Sequence, residues 1–202
     1  MFFNTKFVLA SSSKSRYKIL KNNNLLFLTK KPICDEELIK KNLKKKRTKP
    51  KKMSLELARA KAKSVSQKTK NKLVVGSDTV ISLGGRVVNK TNKIKDAKRK
   101  IKLLSGKKHS IFSSASVYLN NQEVWSCTQK SIVTIRRLGR LEIDTYLKQS
   151  GKQILSSAGC YQAERLGPNI IKKIDGDFFN VMGFPLFPFL NFLNDYKTKK
   201  NK

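Results

Sequence analysis

Four separated groups of residues have the types and spacing to do chemistry together. The stretch Leu73-Val74-Val75-Gly76-Ser77-Asp78-Thr79-Val80-Ile81 sets a single carboxylate between two apolar runs. Burying an ionised carboxylate there is costly unless a cation, a hydrogen-bond donor or a substrate charge compensates it. Asp78 is therefore the chemical centre, a candidate base or metal ligand, with an Asx-type hairpin turn as the structural alternative. Ser11-Ser12-Ser13-Lys14-Ser15-Arg16 supplies hydroxyls and a guanidinium ahead of Tyr17-Lys18-Ile19-Leu20, which opens a helix. That layout holds phosphate through backbone N–H groups and the positive helix end, with Ser11, Ser13 and Arg16 as added donors. A plain cap from Ser13 or Ser15, with Arg16 in solvent, fits the same residues. Cys34-Asp35-Glu36-Glu37 gathers three carboxylates in a chain with 13 acidic residues. They suit Mg²⁺ or Mn²⁺ held jointly with substrate phosphates, or a helix N-terminus leading into Leu38-Ile39. Lys90, on the return of a hairpin turned at Gly84-Gly85, would lie within reach of the same pocket as Asp78.

The elements that must position these groups are an alternation of strands and helices. Phe7-Val8-Leu9-Ala10 reads as a first strand and Leu25 to Leu28 as a short second one. Lys40 to Lys52, broken by Pro50, reads as a solvated linker. From Ser54 a helix places Leu55, Ala58, Ala62 and Val65 on one face, with Lys61 near its edge, where a lysine ordinarily snorkels. The Asp78 stretch reads as a strand that pinches at Gly76-Ser77, and Gly84-Gly85 turns it into Arg86 to Lys90. A helix over Asp96 to Leu104 follows, then strands over His109 to Leu119, Val124 to Thr128 and Ser131 to Ile135. Leu141 to Leu147 is a short helix. The polar loop carrying Gln162, Glu164 and Arg165 is bracketed by Ser157-Ala158-Gly159-Cys160-Tyr161 and Ile170 to Ile174, and a last helix spans Leu186 to Leu193. Residues 197–202 are expected to fray. Strands mixed with helices throughout give an α/β fold with a mixed sheet, and 202 residues suit one domain.

The formal charge of +32 predicts attraction to polyanions. Nine of the 45 basic residues are Arg, however, and duplex readers lean on Arg for bidentate base contacts, so the 36 Lys read mainly as solvated surface. No helix-turn-helix or aromatic-basic interleaving appears, which leaves a basic nucleic-acid-binding protein as the secondary reading. Cys34, Cys127 and Cys160 form no CxxC and only His109 accompanies them, which disfavours zinc. Three scattered thiols fit a reducing compartment, and no apolar run is long enough for a signal or a membrane span. The expectation is a cytoplasmic protein without a membrane.

Seven segments then fall in one order: Leu9 to Arg16, Cys34-Asp35-Glu36, Ala58 to Ala62, Gly76-Ser77-Asp78-Thr79-Val80, Leu104-Ser105-Gly106 with His109, Ser157-Ala158-Gly159, and Asn180-Val181-Met182-Gly183-Phe184-Pro185-Leu186. This pattern, from about residue 7 to 193, resembles the Maf-like family. The resemblance implies a nucleoside triphosphate pyrophosphatase. Such an enzyme cuts between the α- and β-phosphates with a divalent metal cation, Mg²⁺ or Mn²⁺, and releases nucleoside monophosphate and pyrophosphate. It also implies an elongated mixed sheet flanked by helices, two lobes around a cleft, a homodimer, and a link to arrest of septum formation. By position, Asp78 matches the catalytic Asp, and Glu36, Lys61 and Lys90 the other charged pocket groups, with Glu36 and Asp78 on the metal. Ser11, Ser13 and Arg16 match the phosphate-binding turn. Two departures stand out. Lys14 and Ser15 replace the Pro and first Arg of the usual Ser-Pro-Arg-Arg, so one phosphate fork is lost, and a non-catalytic division regulator becomes an alternative. Glu164-Arg165 replaces the frequent Gln-Gly, which resembles the branch acting on 7-methyl-GTP, so Glu164 would meet a guanine edge.

Overall fold

Residues 3–200 are described by the computed structural model. Apolar alternation builds a seven-stranded mixed sheet. Strand β1 (Phe7–Ala10) runs parallel to both its neighbours, β2 (Phe27–Lys30) and β3 (Leu73–Leu83). On the other side of β3 come β5 (Lys108–Leu119), β6 (Gln122–Ile135) and β7 (Ile171–Asp175), each antiparallel to the one before. The short β4 (Arg86–Val88) pairs only with the far end of β3.

One consequence of this register makes the site possible. On the β1 side, β3 is paired through Gly76; β4 takes over only at Ile81. Between them Ser77 to Val80 has a strand partner on the β5 side alone, where Asp78 lies opposite Ser114. The sheet thus opens a gap beside Asp78, just past the carboxyl end of β1, where open α/β sheets collect ligands.

Helices α1 (Lys14–Asn22), α2 (Glu36–Lys45) and α3 (Pro50–Ser66) connect the first three strands. After β4 come α4 (Ile94–Leu104), α5 (Arg140–Ser150), a 3₁₀ turn (Gly151–Ser156), the one-turn α6 (Gly167–Ile170), α7 (Phe178–Met182) and α8 (Leu186–Lys200). Two apolar cores form at opposite ends of β3. One joins Leu73 and Val75 to Phe7, Ile19, Phe184 and Phe189, whose ring meets Phe7 and Phe184 edge-on at centroid distances of 5.2 and 5.3 Å. The other joins Ile81 to Ile101, Leu104, Ile111, Val133 and Ile143. Asp78 lies on the strand between them. Among the described residues, no helix is long and apolar enough to cross a membrane.

Several expectations need correction. Lys40 to Lys52 is not a linker: α2 continues to Lys45 and α3 starts at Pro50, because Ile39 and Leu43 pack against Met53 and Leu57 and give the basic run an apolar edge. Gly76-Ser77 does not break its strand. A Cβ on Gly76 would lie 2.2 Å from Ala58 O and 2.5 Å from Ala62 N, so the glycine admits α3 and makes no turn. The segments Val124–Thr128 and Ser131–Ile135 belong to one strand. Helix α1 begins three residues before Tyr17, β2 lies two residues later than expected, and α8 continues past Leu193 to Lys200. Of the expected frayed tail, 201–202 lies outside the described residues.

Candidate active site

Helix α3 crosses the sheet with a stripe of buried positions: Met53, Ser54, Leu57, Ala58, Lys61, Ala62 and Val65. Lys61 belongs to that stripe at 5% exposure, so it is no snorkelling edge residue. The small neighbours Ala58 and Ala62 rest on Gly76, and Asp78, two residues along, projects from the same sheet face. Lys61 Nζ donates to Asp78 Oδ1 at 2.6 Å, and Asp78 is itself 7% exposed. The Asx-turn reading of Asp78 therefore fails. Its compensating charge arrives from 17 residues upstream, carried by a helix.

Glu36 completes a triad. Asp35 caps α2 by accepting the Leu38 N–H at 2.9 Å, which fixes the first turn and points Glu36 inward. Glu36 Oε2 lies 2.9 Å from Lys61 Nζ with its side chain 37% exposed. Glu37 turns outward to Lys40. The three adjacent carboxylates thus divide into a cap, a site residue and a surface residue. Among the described residues no group of three or more His, Cys, Asp and Glu side chains forms a metal cage. Two carboxylates sharing one ammonium at a gap in the sheet do fit a hydrated Mg²⁺ or Mn²⁺, which takes one or two protein oxygens and the rest from water and substrate phosphate.

The Ser11–Arg16 turn lies across the gap. Ser13 caps α1, its hydroxyl accepting the Arg16 N–H at 3.4 Å, while the Ser13 N–H donates to Ser11 Oγ at 3.2 Å. Arg16 is not in solvent but 8% exposed. Its Nε donates to Gly183 O (2.9 Å), Nη1 to Ser11 Oγ (3.4 Å) and Nη2 to Thr79 Oγ1 (3.0 Å). Three of five N–H groups are so engaged, leaving one on each terminal nitrogen. Burial holds this guanidinium below its ordinary value, while Asp78 and Glu36 pull the other way.

Lys90 follows β4. Its residue surface meets solvent, yet the surrounding protein and neighbouring charges act on its ammonium. Desolvation first, then Arg16, holds its ammonium below the ordinary value; Asp78 raises it, and Lys61 and Lys40 lower it. Glu164 is placed apart from Ser11 and Ser13: Ser15 Oγ donates to Glu164 Oε1 at 3.2 Å. Its neighbour Arg165 lines a separate hollow of about 240 Å³ with Tyr146, Gln153 and Gln162.

Lys61 thus ties Asp78 to Glu36, Arg16 ties the Ser11–Ser13 turn to Thr79 next to Asp78, Lys90 is close enough to feel Arg16, Asp78 and Lys61, and Glu164 is bonded to Ser15. Thr79, Gly183 and Ser15 join the site without having been assigned a role there from sequence. Gly183, at φ 110°, turns its carbonyl to Arg16 and to Thr79 Oγ1 (3.2 Å). Behind it Asn180 is pinned by the Ser113 N–H and Ser131. An αL glycine in Met182-Gly183-Phe184 was the available signal. His109 lies elsewhere: its Nε2 meets Tyr161 Oη at 2.6 Å, both buried, and burial lowers it to about 4.

A sequence profile described as "Maf-like protein" matches residues 6–196, the whole of this framework. The chain belongs to the Maf-like family. Several Maf-like relatives are close in length. The 7-methyl-GTP pyrophosphatase of Bartonella henselae is 38% identical over 191 residues, covering 95% of this chain and 96% of its own. The nucleoside triphosphate pyrophosphatase of Pelagibacter ubique is 35% identical, covering 89% and 92%. The 7-methyl-GTP pyrophosphatase of Rhizobium meliloti is also 35% identical, covering 93% and 94%.

Proposed function

We propose that this Maf-like chain is a nucleoside triphosphate pyrophosphatase that hydrolyses the α–β phosphoanhydride to nucleoside monophosphate and pyrophosphate. The observation that carries the reading is the buried Lys61 held between Asp78 and Glu36 at the sheet gap, facing the Ser11–Arg16 turn. Names borne by full-length relatives support it. Asp78 binds Lys61 through Oδ1, and Oδ2 has no protein partner among the described residues. That oxygen takes the proton from a water attacking at the α–β bond, and the bridging oxygen leaves with pyrophosphate. Lys61, Lys90 and the free N–H groups of Arg16 neutralise the phosphate oxygens as charge builds on the leaving group. The turn hydroxyls of Ser11 and Ser13 hold the phosphates in line. A divalent cation held by Glu36 and Asp78 supplies further charge neutralisation when bound.

The nucleobase end is assigned to Glu164. N7-methylation gives guanine a positive charge, and a carboxylate fixed against Ser15 is complementary to that charge and to the donor edge of guanine. Preference for 7-methyl-GTP over dTTP and UTP follows. The test is a panel of standard and methylated nucleoside triphosphates with Mg²⁺ or Mn²⁺, with pyrophosphate detected separately from orthophosphate. Pyrophosphate is the expected direct product, and Asp78→Asn reduces its release at least ~10³-fold while the protein stays folded. Orthophosphate as first product, or equal turnover by Asp78→Asn, refutes the reading.

A further inference from the structure

Helix α2 carries more than Glu36 into the site. Residues 36, 40 and 44 lie at successive i, i+4 positions and so share one helix face, each about one turn from the next. The first touches Lys61 Nζ at 2.9 Å, and the last, Lys44, donates to Asn89 Oδ1 at 2.9 Å, next to Lys90. Lys40 stands between these two contacts with a side chain only 26% exposed. Among the described residues its carboxylate partner is Glu37, at 3.2 Å on the same helix, and that side chain is 87% exposed. An exposed i,i+3 pair of this kind is worth little and gives way readily to a more strongly charged ligand. Lys40 is also among the charges that lower Lys90, so the two cations feel one another across the margin of the site.

The opening is electrically polarised as a result. Glu164, which accepts from Ser15, is an anion just beyond the Ser11–Arg16 turn. Past Asp78 and Lys61, the margin formed by Lys90 and the α2 face is cationic.

We propose that Lys40 is a further substrate-binding residue, the cation on α2 that together with Lys90 takes the pyrophosphate end of the nucleotide. This rests on the pyrophosphatase reading for its substrate, and its geometry stands on the α2 face alone. The experiment compares Lys40→Met, which keeps the side-chain stem, with Lys41→Met, which removes an equal charge from the exposed neighbouring position. Inorganic pyrophosphate binding is measured by calorimetry with and without Mg²⁺, and kcat/KM and pyrophosphate inhibition are measured over a salt series. Lys40→Met weakens pyrophosphate binding about tenfold, lowers kcat/KM by a similar factor and flattens the salt dependence, whereas Lys41→Met stays close to the parent. Parental pyrophosphate affinity in Lys40→Met, or an equal loss in both variants, overturns the assignment. A parent that releases no pyrophosphate from any nucleotide defeats the pyrophosphatase reading instead, and calorimetry still decides the role of Lys40.

Discussion

Adding one methyl group at Gly76 should disable the site without touching a charged residue. A Cβ there would stand 2.2 Å from Ala58 O, 2.5 Å from Ala62 N and 2.9 Å from Ala62 Cβ. Relaxed carbon contacts are about 3.5–4.0 Å, so α3 must retreat by roughly 1 Å or more. Two of the three obstructing atoms are backbone, so no rotamer change relieves them. Overpacking of this kind costs about 1–3 kcal/mol. Lys61 lies on the same helical turn as Ala62 and would move with it, lengthening a contact that is now 2.6 Å to Asp78. A misplacement near 1 Å at a positioned group lowers turnover about 100-fold. Gly84→Ala is the control: Gly84 has φ +55° and nothing within 4 Å of an added Cβ, so it loses about 1–2 kcal/mol through backbone strain with no movement of α3. Guanidinium denaturation gives the stabilities and pyrophosphate release gives the turnover. Gly76→Ala with parental turnover, or an equal loss in Gly84→Ala, would refute the claim that α3 must lie directly on the sheet to seat Lys61.

His109 predicts an acid-side loss of stability. Its folded value of about 4 lies below the ordinary value of 6.5, so the unfolded chain takes up a proton that the folded chain refuses. Stability therefore declines as pH falls from about 6.5 to about 4, by at most roughly 3 kcal/mol, and flattens below that. Urea midpoints measured across this window should show the slope in the parent and not in His109→Phe. Arg16→Lys keeps the charge but cannot reach Gly183 O, Ser11 Oγ and Thr79 Oγ1 together, so it should cost about 1–3 kcal/mol and impair pyrophosphate release. Parental stability and activity in that variant would show that the clamp is dispensable.

Much of the chemistry was legible in the residues. A lone carboxylate within a valine and isoleucine run needs compensation and hydroxyls before a helix start suit a cap, so Asp78 and the Ser11–Arg16 turn stood out as candidates, each beside a plain structural alternative that only the contacts decided. Most strands and most helices follow likewise from period-2 and period-3.6 patterns. What the patterns could not supply was distance across the fold. Lys61 reads as a surface lysine until Gly76 allows α3 to settle and turn that face inward. Lys40 to Lys52 reads as solvated because the apolar edge that folds it, Ile39 and Leu43 on Met53 and Leu57, exists only once two helices meet. The unpaired stretch of β3 from Ser77 to Val80 arises from which strands end beside it. Charge type and local propensity are properties of single residues and short windows; the compensation of Asp78 by a buried cation is a property of packing, and only the tertiary structure decided it.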